Sequence, residues 1–230
     1  MTSAFHTDIF ALIVFFVGMT LLPFVAMIAT SYLKIVVVMS LIRNALGVQS
    51  IPPNMVINAL ALILTFYIMA PVLGEGWGIL SKELEARKTE PAAQVLRETD
   101  AAAKATEPYR EWLSARTDAR SRQFFVSTAE QLWAKKGANG EDEPAKVDPE
   151  SFYILIPSFC VSELSKAFQI GFLVYLPFIA IDIIISNILL AMGMMMVSPV
   201  TISLPFKLLL FVMVNGWTLL IQGLIKGYMI

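Results

Sequence analysis

Hydrophobic residues along this chain gather into two blocks separated by one polar block. Ile9 to Thr30 and Met55 to Leu73 are the apolar runs of the first block, and Ile170 to Val197 and Leu204 to Ile225 those of the last. A transmembrane helix needs about 20 predominantly apolar residues, so all four runs reach or approach the length of a crossing. The polar block, from Gly74 to Ser151, holds 27 of the 35 Asp, Glu, Lys and Arg residues. The expected fold is an all-α membrane protein in which two hydrophobic helical hairpins with broken helices flank a polar helical insertion. Residues 1–73 form the N-terminal hairpin, 74–151 the insertion, and 152–230 a C-terminal hairpin with a Met-rich loop.

Local signals punctuate these blocks. Pro23 removes a backbone donor inside the first run and predicts a kink or break there. Gly47 suits the residue after a helix end, Pro52-Pro53 stops continuation, and Asn54 is placed to cap the next helix, which should end near Pro71. In the insertion, Tyr109, Trp112 and Leu113 share one helix face, as do Phe125, Ala129 and Leu132. Ser127 with Glu130 has the spacing of a capping box, and Lys135-Lys136 before Gly137 resembles a helix C-terminus. Gly137 to Asp148 reads as a surface loop, and the alternating charges from Lys82 to Glu107 read as solvated helix faces. Phe152 to Gln169 is an amphiphilic lead-in in which Glu163 and Lys166 lie one turn apart, where opposite charges pair.

Composition narrows the chemistry. The chain is 57% hydrophobic and 15% charged, against roughly 25% charged in soluble domains. Its net charge of −1 supplies no basic patch for nucleic acid. One Cys and one His make a soft-ligand metal site improbable, and Cys160 has no intrachain partner for a disulfide. No basic n-region precedes Ile9, so the first run reads as retained. Lys34 and Arg43 between the first two runs vote for a cytoplasmic connection, with the insertion on the far side of the membrane. Neither a nucleophile with a positioned base nor a nucleotide-cradling loop is visible, so no enzyme activity and no cofactor is expected.

Several polar residues do not fit simple lipid anchors. Asp182 lies inside an apolar run, where a carboxylate costs about 2.5 to 3.5 kcal/mol at the bilayer centre. Asn58, Asn187, Asn215 and Gln222 are embedded as well. In a single chain, Lys207 and Lys34 would snorkel to the interface. The embedded groups either satisfy one another within one monomer or meet across subunits; pattern alone does not choose. Met192-Gly193-Met194-Met195-Met196 is either an apolar helix end or a soft constriction, since methionine repacks at low cost.

The runs Thr30-Ser31-Tyr32-Leu33-Lys34-Ile35-Val36-Val37-Val38, Leu41 to Gln49 and Pro52-Pro53-Asn54 resemble the N-terminal signature of the FliP/SctR family of type III secretion export-apparatus core subunits. Pro157 through Gly171, and Pro205-Phe206-Lys207-Leu208 through Val214-Asn215-Gly216-Trp217, resemble its later signatures. Ser158 stands where the family usually has Ala, and Ser50 where Gln is common. Arg43-Asn44-Ala45 and the length look more like the injectisome branch than the flagellar one. The resemblance implies a non-enzymatic, pore-forming subunit of the export gate that passes unfolded polypeptides across the bacterial inner membrane. It implies a ring of five copies, joined by SctS-like and SctT-like subunits and by SctU-like and SctV-like components, with membrane lipid around it and the insertion periplasmic. It also implies that the assembled helices lie largely above the membrane plane. Met194, Met195 and Met196 match the family's pore seal, and Glu163, Lys166, Asp182 and Lys207 are the expected intersubunit or interhelical contacts. The alternative is a monomeric proton- or cation-coupled transporter using Asp182.

Overall fold

A computed structural model describes residues 12, 16–21, 23–48, 51–87, 94–136, 142–143 and 145–229. The described residues are almost wholly helical. Helix α1 covers Phe16–Ile28 and bends by 59° into α2, Tyr32–Ala45. Next come α3 (Asn54–Arg87), α4 (Gln94–Arg116) and α5 (Ala119–Leu132). A two-residue antiparallel ladder follows, Lys135 opposite Glu143 and Lys136 opposite Asp142. Helix α6 then runs 40 residues from Phe152 to Ala191, and α7 (Pro199–Met213) and α8 (Gly216–Lys226) complete the chain.

Two apolar clusters hold these helices together. The larger sets Ile35, Val38, Met39 and Ile42 of α2 against Ile57, Ala61 and Leu64 of α3, Ala167 and Phe178 of α6, Phe211 of α7, and Leu220 and Leu224 of α8. The buried α2 positions recur at three- and four-residue steps, one face of a helix. Gly171 permits a close approach of α6 to α2: a Cβ there would lie 2.3 Å from Leu41 Cδ1. The smaller cluster joins Met69, Leu155 and Phe159 to Trp112 and Leu113 of the insertion and to Tyr228. The face carrying Tyr109, Trp112 and Leu113 is thus the one that docks the insertion.

Several expectations are corrected. Helix α3 does not end near Pro71 but passes through it to Arg87, and α6 passes through Pro157 and Pro177. Long apolar helices absorb such a proline where neighbouring groups satisfy the freed carbonyl. The last apolar run, expected as one segment, bends by 60° at Val214–Asn215, where Asn215 adopts a left-handed φ of 51°. Among the described residues, two single helices therefore have the length and apolarity of a crossing, giving up to four spans if each bent pair counts as one. The bend in the first block falls at Ala29–Ser31; the residue before Pro23 lies outside the described residues.

The insertion departs from expectation at its end. Ser127 sits inside α5, its hydroxyl bonding back to the Phe124 carbonyl, so it caps nothing. Leu132 is exposed although Ala129 is buried. Lys135-Lys136 follow the helix end as a strand, and Gly137 lies outside the described residues. Asn54 is the first residue of α3 rather than its cap, and its side-chain oxygen accepts from Arg43. Gly47 does follow the end of α2, at a φ of 78° that glycine adopts freely.

Candidate functional site

Glu163 lies at the meeting point of α2, α4, α6 and the chain end, and is 0% exposed. Its Oε2 is 3.0 Å from Lys34 Nζ and accepts the phenol hydrogen of Tyr228. Its Oε1 is 3.1 Å from Lys166 Nζ, which also donates to the Arg116 carbonyl at 2.6 Å. Arg116 in turn donates to the Tyr228 carbonyl at 2.6 Å. Two lysines pair with one carboxylate while Arg116 bonds to backbone carbonyls beside them, and aromatic rings take up part of the excess positive charge. Lys34 Nζ sits 3.5 Å from the Tyr228 ring centroid, and the Arg116 guanidinium lies 4.8 Å from that of Trp112. Such contacts are worth about 0.5 to 2 kcal/mol, more when dry. Nearby Ser162 accepts the Asp118 amide at 2.9 Å, which ties the junction between α4 and α5 to α6.

Asp182 and Lys207 form a second junction. Lys207 is 3% exposed; its Nζ is 2.6 Å from Asp182 Oδ2 and donates to the Ala45 carbonyl at 3.3 Å. Ser203, one turn before Lys207 on α7, donates to Asp182 Oδ1 at 2.6 Å. One carboxylate thus holds α6 to α7, while its lysine reaches the end of α2. Lys34 and Lys207 do not snorkel, because each finds a carboxylate within reach inside the bundle.

The embedded charges are therefore matched within one chain. The embedded carboxamides behave differently: Asn58, Asn187, Asn215 and Gln222 are exposed on the outer faces. Arg116, Ser203 and Tyr228 belong to these networks although nothing singled them out beforehand. Ser203 and Lys207 had a usable signal, two polar residues at i and i+4 on an apolar helix. Tyr228 and Arg116 had none, since 112 positions separate them.

The methionine turn is the reverse of these junctions. Helix α6 ends at Ala191, Gly193 turns at a φ of 73°, and Pro199 opens α7. Met192, Met194, Met195 and Met196 are all exposed, Met196 completely. The turn is apolar, unpartnered in the monomer, and held between two helices that Asp182 and Lys207 join. Among the described residues no cluster of His, Cys, Asp or Glu could hold a metal.

Membrane-length helices, two bent helix pairs and charges buried between helices define an all-α membrane protein. The chain matches the FliP family over residues 15–224 and belongs to that family. It is 51% identical over 211 residues to the Yop proteins translocation protein R of Yersinia pestis, covering 91% of this chain and 92% of that one. It is 44% identical to the hypersensitivity response secretion protein HrcR of Ralstonia nicotianae, covering 97% and 99%. It is 43% identical to the virulence protein YscR of Salmonella typhimurium, covering 91% and 92%. The chain is thus an SctR-like subunit of the type III secretion export apparatus, a structural membrane component and not an enzyme.

Proposed function

We propose that this subunit forms the pore of the export gate and passes unfolded polypeptides across the bacterial inner membrane, with Met194, Met195 and Met196 as its seal. The uncovered turn after α6 carries this reading: four exposed methionines on a short loop are a poor end for a solitary helix pair. Brought together by rotational symmetry, copies of the loop would make a constriction of unbranched side chains that yields to a passing chain and closes behind it. Five copies, joined by SctS-like and SctT-like subunits and set beside SctU-like and SctV-like components, would complete the gate. The insertion would then lie on the periplasmic side.

The exposed apolar faces of α3 and α6, which include Phe66, Tyr67, Phe172 and Leu173, offer the area such packing needs. The transporter alternative is weakened by the pairing of Asp182 with Lys207 and Ser203, which already sets a lysine cation against one carboxylate oxygen and a hydroxyl against the other.

The test has two arms. Native mass in mild detergent is expected to give a discrete ring-sized species that gains mass when SctS-like and SctT-like subunits are co-expressed. Replacing Met194, Met195 and Met196 together by Gly is expected to make cells holding the assembled gate leak ions. A persistent monomer in both preparations, or a ring whose permeability is unchanged by the triple replacement, would overturn the reading.

A further inference from the structure

The break between α1 and α2 is built from donors that the rest of the chain supplies. A helix that stops leaves its last carbonyls without amide partners, a costly state in an apolar setting. In one continuous helix, the Ile28 carbonyl would take the Tyr32 amide and the Ala29 carbonyl the Leu33 amide. Neither of those bonds forms. The Thr30 hydroxyl reaches back to the Ala26 carbonyl at 2.6 Å and accepts the Tyr32 amide at 3.3 Å, ending one helix and starting the next. The Ile28 carbonyl instead faces Cys160 Sγ of α6 at 3.3 Å. The Ala29 carbonyl accepts the phenol hydrogen of Tyr109 from α4.

Tyr109 is well placed for this. Its ring stacks on Trp112 and Phe152, with centroids 6.3 and 6.0 Å away. Burial pushes its phenol above the ordinary value, so it remains a donor. The Tyr228 oxygen is 3.5 Å from the Ser31 carbonyl, but its single hydrogen serves Glu163, so it adds nothing here.

We infer that Tyr109 and Cys160 hold the break in the first hydrophobic block: the polar insertion and α6 cap the end of α1 and so fix the direction in which it leaves the bundle. The thiol is a weak donor, so Tyr109 is the principal residue. Without the cap, the two exposed carbonyls recover the Tyr32 and Leu33 amides, and α1 and α2 join as one straight helix. The insertion is then a positioning device for a hydrophobic helix.

Spin labels at the exposed positions Val17 and Asn44 of the full chain in detergent test this, with Cys160 replaced by Ser so that only the two introduced thiols react. At about 1.5 Å per residue the labelled backbone positions lie about 40 Å apart in a straight helix and about 35 Å apart at the observed bend. The labelled parent is expected to show the shorter distance, and Tyr109→Phe with Cys160→Ala the longer one, a shift of about 5 Å. Tyr109→Phe keeps the ring that packs on Trp112 and Phe152. Thr30→Ala, which acts only at the break itself, is expected to shift the distance in the same direction. Folded variants that keep the parent distance would overturn the inference.

Discussion

Glu163 and Met196 stand on one helix and the turn that follows it, yet their surroundings are opposite. Glu163 is sealed among two lysines, a tyrosine and the end of α4, and each of its oxygens is bonded within the chain. Met196 touches almost nothing. A buried charge cannot wait for a partner subunit, because an unpaired carboxylate in an apolar bundle costs several kcal/mol while it waits. An exposed methionine can wait, since its cost is only uncovered apolar area. The monomer therefore completes its electrostatics and leaves its apolar surface open, which is the division expected of a subunit that folds first and assembles afterwards.

Breaking the Glu163 junction should have the largest effect. Glu163→Ala leaves Lys34 buried without its carboxylate, with an expected loss of about 3 to 5 kcal/mol, read as a lowered melting temperature in detergent. A loss below about 1 kcal/mol would mean that the junction is incidental. Lys207→Met should cost less, about 2 to 3 kcal/mol, because the Asp182 it abandons has a side chain 32% exposed and can reach water. Adding Asp182→Leu to Lys207→Met should recover part of that loss, and a double-mutant cycle in the same melting assay checks it. Additive losses would show that the two residues act separately.

Packing comes next in size. Gly171→Ala drives a methyl toward Leu41, whose Cδ1 would have to move to make room. The expected cost is about 1 to 2 kcal/mol, measured by the same melting curves. Leu41→Ala in the same chain should relieve the clash. Failure to do so would place the strain in the backbone of α2 rather than in that side chain.

The blocks of hydrophobic sequence made the helices legible, and the one-turn spacing of Glu163 and Lys166 made their pairing legible. What could not be read was which distant residue would complete each junction. Lys34, with an apolar neighbour on either side, looked like a snorkelling lysine because its carboxylate lies 129 positions away on another helix. The helix ends misled for a related reason. Pro71 is itself exposed, but Met69 and Val72 on either side of it pack on the smaller apolar cluster, and the helix continues past it to Arg87. Ser127 carried a capping pattern that the already continuous α5 overruled. For Lys34 the local rule failed because a carboxylate on a distant helix supplied what the local chain lacked.

The smallest effect sharpens the comparison most. Met195 and Met196 touch little in the monomer, so replacing both by Ser should change its stability by no more than about 0.5 kcal/mol. Serine removes apolar, deformable length while leaving Gly193 and Pro199 to shape the turn. If the methionines matter only after assembly, the variant should melt with the parent protein, form the same high-mass species, and then fail to hold back ions in the assembled gate. The two readings separate in opposite directions along the same helix: Glu163→Ala should lower the melting temperature before any assembly occurs, whereas the Met195 and Met196 replacements should appear only as a leak. A serine variant that melted several degrees early would show that the turn already packs against its own chain, and would remove the contrast between a completed core and a waiting edge.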